Sequence, residues 1–309
     1  MKTTHRHYAE ELGDFHRLCR FTTANEDHLR AHSTWCLGRV VDWKYGLYDN
    51  KLAVAGFCDK NACLWFDAFG EMAGFAISES GDEGFAILTG EGYRFLFEEM
   101  LQWVFEHWGH RDPRLSIEIT ERQTWEIGVL ERYVFQRVAS FLTRCFDLTQ
   151  PLPERSPLEP GFTIVDMATH PDLRAQRILR ADAFGGASPL TEEELRRQLE
   201  FYNHAQQGPI YHPQCDLCVM AEDGRFVSGC EALIDARNAI ADIERICTHS
   251  GFRRRGFARA VIQECLYRLQ EMGLRRAYIT GYSPAALALY GSLGHTSEST
   301  SYVYEGPVR

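Results

Sequence analysis

Between Ala258 and Met272 the apolar residues recur at helical spacing. Ala258, Val261, Ile262, Cys265, Leu266, Leu269 and Met272 fall at i, i+3, i+4, i+7, i+8, i+11 and i+14, and Gly273 stands where a C-terminal cap belongs. Ahead of this helix, residues 217–220, 228–234 and 240–247 read as strands, with the turn Glu222-Asp223-Gly224 between the first two. Behind it come a strand at 276–280, a short helix at 284–293 and a last strand at 301–305. The first half of the chain repeats this order. Phe97, Met100, Leu101, Val104, Phe105 and Trp108 make a helical stripe ending at Gly109, followed by a strand at 115–120, a helix at 125–135 and a strand at 141–148. Placing Gly109 on Gly273, an offset of 164, also puts Trp108 on Met272, Phe105 on Leu269 and Phe97 on Val261, while the strands align near 161. Such self-similarity is the mark of an internal duplication.

The two copies meet at PLPERSPLEPG. Pro151, Pro153, Pro157 and Pro160 are four of the chain's 11 prolines, and none can continue a helix or a central strand. The reading is therefore a domain at 1–150, an extended linker at 151–160 and a second domain at 161–309, each long enough to bury its own core.

Composition narrows the class. With 45% hydrophobic and 25% charged residues the chain is neither disordered nor low in complexity. A net charge of −10 repels a phosphate backbone, so nucleic acid is not an expected partner. No apolar run approaches the ~20 residues of a membrane span, and the N-terminal stretch has no signal-like apolar segment. Ten cysteines scattered through apolar segments read as buried small hydrophobes in a reducing compartment, which makes the expected location cytoplasmic. No metal site is expected: Cys215-x-x-Cys218 lacks a second pair and His107-x-x-His110 lacks a third ligand.

The chemistry concentrates in residues 243–260, IERICTHSGFRRRGFARA, where a strand runs into the long helix. Helix N-termini present unpaired N–H groups and the positive end of the dipole, which favours anions there. Arg253, Arg254, Arg255 and Arg259 add charge, while Gly256 and Ala258 leave room for a ligand to approach the backbone. The spacing fits neither a Walker loop nor the three-glycine dinucleotide fingerprint.

This segment resembles the GCN5-related N-acetyltransferases (GNAT), whose acyl-coenzyme A loop reads Arg/Gln-x-x-Gly-x-Gly/Ala, here Arg253-x-x-Gly256-x-Ala258. The likeness continues through the long helix and the strand RRAYITG to ALALYGSLGH, similar to the family's Leu-Tyr-x-x-x-Gly-Phe, with His295 in place of Phe. It is strong from 216 to 305, and the first half resembles a diverged copy, as in tandem, mycothiol synthase-like members. The resemblance implies an α/β fold of two tandem acetyltransferase-like domains, each a mixed, mostly antiparallel sheet flanked by helices. It implies acetyl-coenzyme A or another acyl-coenzyme A as co-substrate. Its pyrophosphate would lie on the backbone N–H groups of Arg254, Arg255, Gly256 and Ala258, with Arg253 beside them and Phe257 in the same cofactor-binding loop, and its pantetheine along the preceding strand near Ile246 and Thr248, with Cys247 between them. The acceptor would be a free amine, and Tyr290 would protonate the departing thiolate.

An ammonium is no nucleophile, so the reaction also needs a base. Glu244 is the candidate, because period-two alternation places it on the strand face of Ile246 and Thr248. The same alternation puts Cys247 on the opposite face, as a packed thiol and not a nucleophile. Glu231 and Asp235 on a neighbouring strand point to a small cationic amine, with acceptor walls expected from 183–212 and the first half. In the first copy the loop positions become Thr89, Gly90, Glu91, Gly92 and Arg94, and Leu130 stands opposite Tyr290. That copy is expected to do no chemistry. The expected activity is acetyl transfer to a primary amine within a ternary complex. A non-catalytic acyl-coenzyme A-binding module, or an interaction protein whose basic loop holds another phosphorylated ligand, are the alternatives at this point.

Overall fold

The structure is a computed structural model and describes residues 2–46, 52, 54–185 and 190–308. The chain forms two compact units, Met1–Phe141 with Ser299–Arg309, and Leu142–Glu298. The first unit carries β1 (Thr4–His7), α1 (Asp14–Ala24), α2 (Glu26–His32), α3 (Leu37–Tyr45), α4 (Phe57–Asn61), β2 (Ala62–Phe66), β3 (Met72–Ile77), β4 (Gly84–Thr89), α5 (Phe97–Trp108), β5 (Arg114–Thr120) and α6 (Thr124–Arg132). There follow β6 (Gln136–Asp147), β7 (Phe162–Asp166), α7 (Leu173–Gly185), α8 (Glu192–Ala205), β8 (Tyr211–Ala221), β9 (Phe226–Asp235), β10 (Ile240–Thr248), α9 (Phe257–Glu271), β11 (Arg276–Gly281), α10 (Pro284–Gly291) and β12 (Ser297–Pro307).

Each unit is a mixed, mostly antiparallel sheet flanked by helices, the architecture the resemblance implies. In the first unit the strands run β1-β2-β3-β4-β5-β12, all neighbours antiparallel except β4 and β5. The stripe of α5 (Phe97, Met100, Leu101, Val104 and Trp108) packs with Trp65, Ile117, Phe135 and Tyr304. In the second unit the order is β6-β11-β10-β9-β8-β7, with only β10 and β11 parallel. One face of that sheet packs on α9 through Val261, Cys265, Leu266 and Leu269, and the other on α7 through Leu179, Cys218 and Cys247. The α9 stripe ends as its pattern predicts, at a left-handed Gly273 (φ 83°). Gly109, its counterpart in the duplication, is right-handed (φ −61°), and a Cβ there would lie 2.4 Å from Phe105 O and Val308 Cγ1.

Two expectations about the boundary need correction. The units are not the sequence halves 1–150 and 161–309, because the last strand of each copy lies in the other unit. From Leu142, β6 belongs to the second unit, where Phe146 enters the core and Thr143 Oγ1 meets Thr280 Oγ1 at 2.9 Å on β11. From Ser299, β12 belongs to the first, pairing with β5 from Ser301↔Thr120 to Pro307↔Arg114. The duplication reveals that a strand follows each last helix, but not which sheet edge it joins. The helix expected over 125–135 stops at Arg132, and Val134 turns left-handed (φ 65°) as the chain enters β6.

The proline-rich stretch is also not a linker in solvent. It is a strap along α9 within the second unit. Gln263 accepts from Ser156 N at 2.9 Å and donates to Glu154 O at 3.0 Å, while Gln270 donates to Leu148 O and Gln150 O at 2.7 and 2.9 Å. Arg155 stacks 3.9 Å above the Tyr267 ring. Gln263, Tyr267 and Gln270 lie at i, i+4 and i+7, so a polar stripe on α9 takes up the backbone groups that prolines leave without sheet partners.

Gly306 of β12 gives the exchange a test. A Cβ there would sit 2.1 Å from the buried ring of Phe135. Gly306→Ala is expected to destabilise the first unit by about 1–3 kcal/mol, the usual cost of overpacking. Hydrogen exchange should then quicken in β5 and α5 and stay unchanged in β10 and β11; quickening in β11 instead would place β12 in the second unit.

Candidate active site

In the second unit, β10 and β11 start as partners and then part. They pair at Ile240↔Arg276, Ala241↔Ala277 and Asp242↔Tyr278, and not beyond. Each keeps its other neighbour: β10 follows β9 as far as Thr248↔Ser228, and β11 follows β6 as far as Gly281↔Leu142. A slot therefore opens inside the sheet, with main-chain N–H and C=O groups along its walls. Such groups need partners, and an extended ligand carrying amides supplies them. At the β11 wall, Gly281 leaves room for α10: a Cβ there would come within 3.1 Å of the Tyr290 ring and 3.2 Å of Leu287.

The β10 wall is bulged. Its register on β9 moves from Glu244↔Glu231 to Cys247↔Gly229, one residue more on β10 than on β9, and Arg245 is left-handed (φ 51°). An extra residue cancels the period-two alternation. Glu244 and Cys247 accordingly share the face covered by α7, where Cys247 joins Leu179 and Cys218, whereas Ile246 packs toward the α9 core. The expected sharing of a face by Glu244, Ile246 and Thr248 is thus corrected. The Thr248 hydroxyl meets Ser228 Oγ at 3.0 Å. Cys247 is buried, and that burial pushes its thiol up to about 11, so it stays protonated and un-nucleophilic at neutral pH.

Beyond Thr248 the chain makes a 3₁₀ turn, Ser250–Phe252, in which His249 Nδ1 accepts from Gly251 N at 3.1 Å. Asp182 of α7 anchors the turn, accepting from Ser250 N and, at 2.8 Å, from Ser250 Oγ. Arg254 (φ 65°) and Gly256 (φ 84°) then turn left-handed, and Gly256 starts α9 with no side-chain cap. Nothing lies within 4 Å of the place a Gly256 Cβ would take. Arg253 and Arg254 are exposed, and Ala258 is half-buried. Two side chains are engaged elsewhere. Arg255 pairs with Glu159 of the strap through Nε and Nη2, on one guanidinium edge, and lies about 5 Å from the rings of Phe162, Phe252 and Phe257. Phe257 is core, 4.5 Å from Phe162. Both retain only their main chain for a ligand.

Tyr290 is 6% exposed, and among the described residues its hydroxyl makes no hydrogen bond. Burial, and after it the charge of Glu244, hold its phenol well above the ordinary value, so it remains a neutral donor. Glu244 lies on the surface.

The two further carboxylates expected to face an acceptor do not. Asp235 is spent on the β9–β10 turn, accepting from Arg237 N at 3.1 Å, Asn238 N at 3.2 Å and Asn238 Nδ2 at 2.7 Å, at the end of β10 opposite the loop. Glu231 is buried between Arg180 and Arg245. Of the expected acceptor wall at 183–212, residues 186–189 lie outside the described residues. Arg180, Asp182 and the bulge residue Arg245 were not singled out from sequence, since neither a bulge nor a buried ion pair leaves a periodic signal. Cys215 and Cys218 lie on opposite faces of the sheet, three residues apart on one strand. Among the described residues no three His, Cys, Asp or Glu side chains are grouped to hold a metal ion.

The first unit repeats the geometry with different residues at the matching positions. Parallel pairing of β4 and β5 stops after Phe85↔Ile117, and Gly92 (φ 83°) matches Gly256. Glu91 stands in the loop, Leu130 is buried core, and Arg94 donates from Nε and Nη2, each at 2.6 Å, to Glu126 of α6.

Residues 175–295 match the Acetyltransferase (GNAT) family. Among solved structures, a GCN5-related N-acetyltransferase from Sphaerobacter thermophilus is similar at 20% identity and a TM-score of 0.67, covering 99% of this chain and 96% of that one. A tandem GNAT protein from the clavulanic acid biosynthesis pathway is similar at 11% identity and a TM-score of 0.67, over 100% and 99% of the two chains. A GNAT-family acetyltransferase from Colwellia psychrerythraea aligns at 13% identity and a TM-score of 0.58, over 98% and 99%. No curated protein matches the sequence. Residues 175–295 thus match the GNAT acetyltransferase family, and the chain as a whole has the fold seen in GNAT proteins, a tandem one included.

Proposed function

We propose that the second unit transfers an acetyl group from acetyl-coenzyme A directly to a primary amine, both substrates being bound together. The GNAT fold supports acyl transfer in general. The observation that carries the finer reading is the parting of β10 from β11 after Asp242↔Tyr278, with the uncapped start of α9 at one end and Tyr290 packed on Gly281 at the other wall. The slot suits the amides of pantetheine. The N–H groups at Gly256, Phe257 and Ala258, with the exposed Arg253 and Arg254, suit a pyrophosphate.

In this reading Glu244 takes a proton from the bound ammonium, directly or through water. The amine nitrogen adds to the thioester carbonyl and gives up its second proton to water, the C–S bond breaks, and Tyr290 passes its proton to the departing sulfur. An amide and free coenzyme A leave, and Tyr290 recovers a proton from solvent. Cys247, buried and protonated, argues against an acyl-enzyme. With Asp235 and Glu231 otherwise engaged, the preference for a cationic small molecule rests on Glu244 alone. The net charge of −10 disfavours nucleic acid as a partner, and a cytoplasmic location remains our reading of the cysteine usage. The first unit, with Glu91 in its loop, is taken as non-catalytic.

Incubation of the full chain with acetyl-coenzyme A and a panel of amines, scored for thiol release, tests this. Initial-rate plots should intersect. Parallel lines with a burst of coenzyme A before acceptor is added would place an acyl-enzyme on the pathway instead. Binding of acetyl-coenzyme A with no thiol release across the panel would make the unit a binding module.

A further inference from the structure

Three carboxylates form a cross-strand row on the α7 face of the second unit: Asp216 opposite Glu231, and Glu231 opposite Glu244. Exposure rises along it, from 1% at Asp216 and 6% at Glu231 to the surface at Glu244. Two guanidiniums thread the row. Arg180 Nη2 lies 3.1 Å from Asp216 Oδ1 and 3.2 Å from Glu231 Oε2, and Arg245 Nη1 lies 3.0 Å from that same Oε2. Asp216 further accepts from Gln176 at 2.7 Å and Tyr211 at 3.0 Å. Burial works against the charge on Arg180, but Tyr202, Asp216 and Glu231 outweigh it. Buried ion chains are poor sources of stability, since desolvation offsets attraction, and their best-attested use is to specify one geometry.

Here the geometry is that of the bulge. At φ 51° glycine is the residue without strain, yet an arginine stands there, its side chain reaching back to Glu231. We propose that Arg245 is a positioning residue for the transfer: anchored on Glu231, it fixes the extra residue of β10 and thereby the direction and electrostatic surroundings of Glu244. This rests on the reading of Glu244 as the base. Among the described residues, the groups around Glu244 include Arg245 on its own strand, Glu231 of β9 with Asp216 of β8 behind it, Arg180 of α7, and from α10 the phenol of Tyr290; Cys247 is a neutral thiol. At the closed end of the parallel pair stand Asp242 and Tyr278.

The test is the pH profile of kcat/KM for the amine, on the full chain. Arg245→Gly keeps the left-handed backbone and deletes the charge, so the acid limb should move to higher pH and kcat should fall about tenfold. Glu231→Gln deletes the negative neighbour and should move the limb to lower pH. Each displacement should be about half a unit, the effect of one charge several ångströms away under water-like screening. Arg245→Lys should return the limb toward wild type, and KM for acetyl-coenzyme A should stay within about twofold throughout. Should Glu231→Gln fail to fold, the two Arg245 variants decide. Full activity and an unmoved limb in Arg245→Gly would reduce Arg245 to a backbone role and overturn the proposal. A limb that survives Glu244→Gln would instead remove Glu244 as the base, a failure of the underlying reading that this comparison separates from the first.

Discussion

Tyr290→Phe is expected to lower turnover by roughly 10²–10⁴-fold, the worth of a positioned proton donor, while leaving the affinity for acetyl-coenzyme A and the melting temperature almost unchanged. The ring is what packs: it lies on Gly281 and in the α9-side core, and phenylalanine keeps that contact. Its hydroxyl has no hydrogen-bond partner among the described residues, so removing it strands no buried group. Burial, followed by the Glu244 charge, raises the phenol's pKa, so the proton is present at any pH where the amine is acetylated. The loss should therefore appear in kcat at every such pH, without a new limb in the profile. Turnover equal to wild type would mean that water protonates the thiolate and that Tyr290 serves only as core.

How much of this was legible in the chain follows from what periodicity can carry. The α9 stripe and the Arg253-x-x-Gly256-x-Ala258 loop are local, so the helix, its left-handed cap at Gly273 and the uncapped start at Gly256 lie where the sequence reading puts them. Alternation places Glu244 on the wrong face because it assumes an unbroken strand, and an arginine at φ 51° gives no warning of a bulge. Asp235 looked available because its turn partners, Arg237 and Asn238, bind it through a backbone fold that only the register of β9 and β10 defines. Prolines forbid sheet pairing, which predicts a linker where the strap lies; what they do not forbid is hydrogen bonding to side chains, and Gln263 and Gln270 lie a hundred residues farther on. The destination of β6 and β12 is of the same kind. Phe146 and Tyr304 are apolar residues on amphipathic strands, and the cores that receive them are chosen by long-range packing.

Gly256→Leu and Gly92→Leu form a matched pair whose outcomes should diverge. Both glycines are left-handed, at φ 84° and 83°, and in both places a Cβ would have nothing within 4 Å. The backbone cost of a side chain is then the same at each, about 1–2 kcal/mol, and the melting temperature of either variant should fall by a similar small amount. Coenzyme A binding separates them. At Gly256 a leucine stands over the start of α9, between Arg255 and Phe257, and obstructs the N–H groups read as the pyrophosphate seat. Losing one or two charge-assisted hydrogen bonds, each worth about 1.5–3 kcal/mol, should weaken binding at least tenfold and up to about 10⁴-fold, read by calorimetry with acetyl-coenzyme A. At Gly92 the loop offers Glu91 instead of an arginine, and Arg94 is held by Glu126, so the affinity should not change. Equal weakening in both variants would show that the first unit takes part in binding, and the non-catalytic copy would have to be reread as a second nucleotide-binding surface. Weakening in neither would move the pyrophosphate off the α9 start altogether, leaving the parted strands with a different ligand.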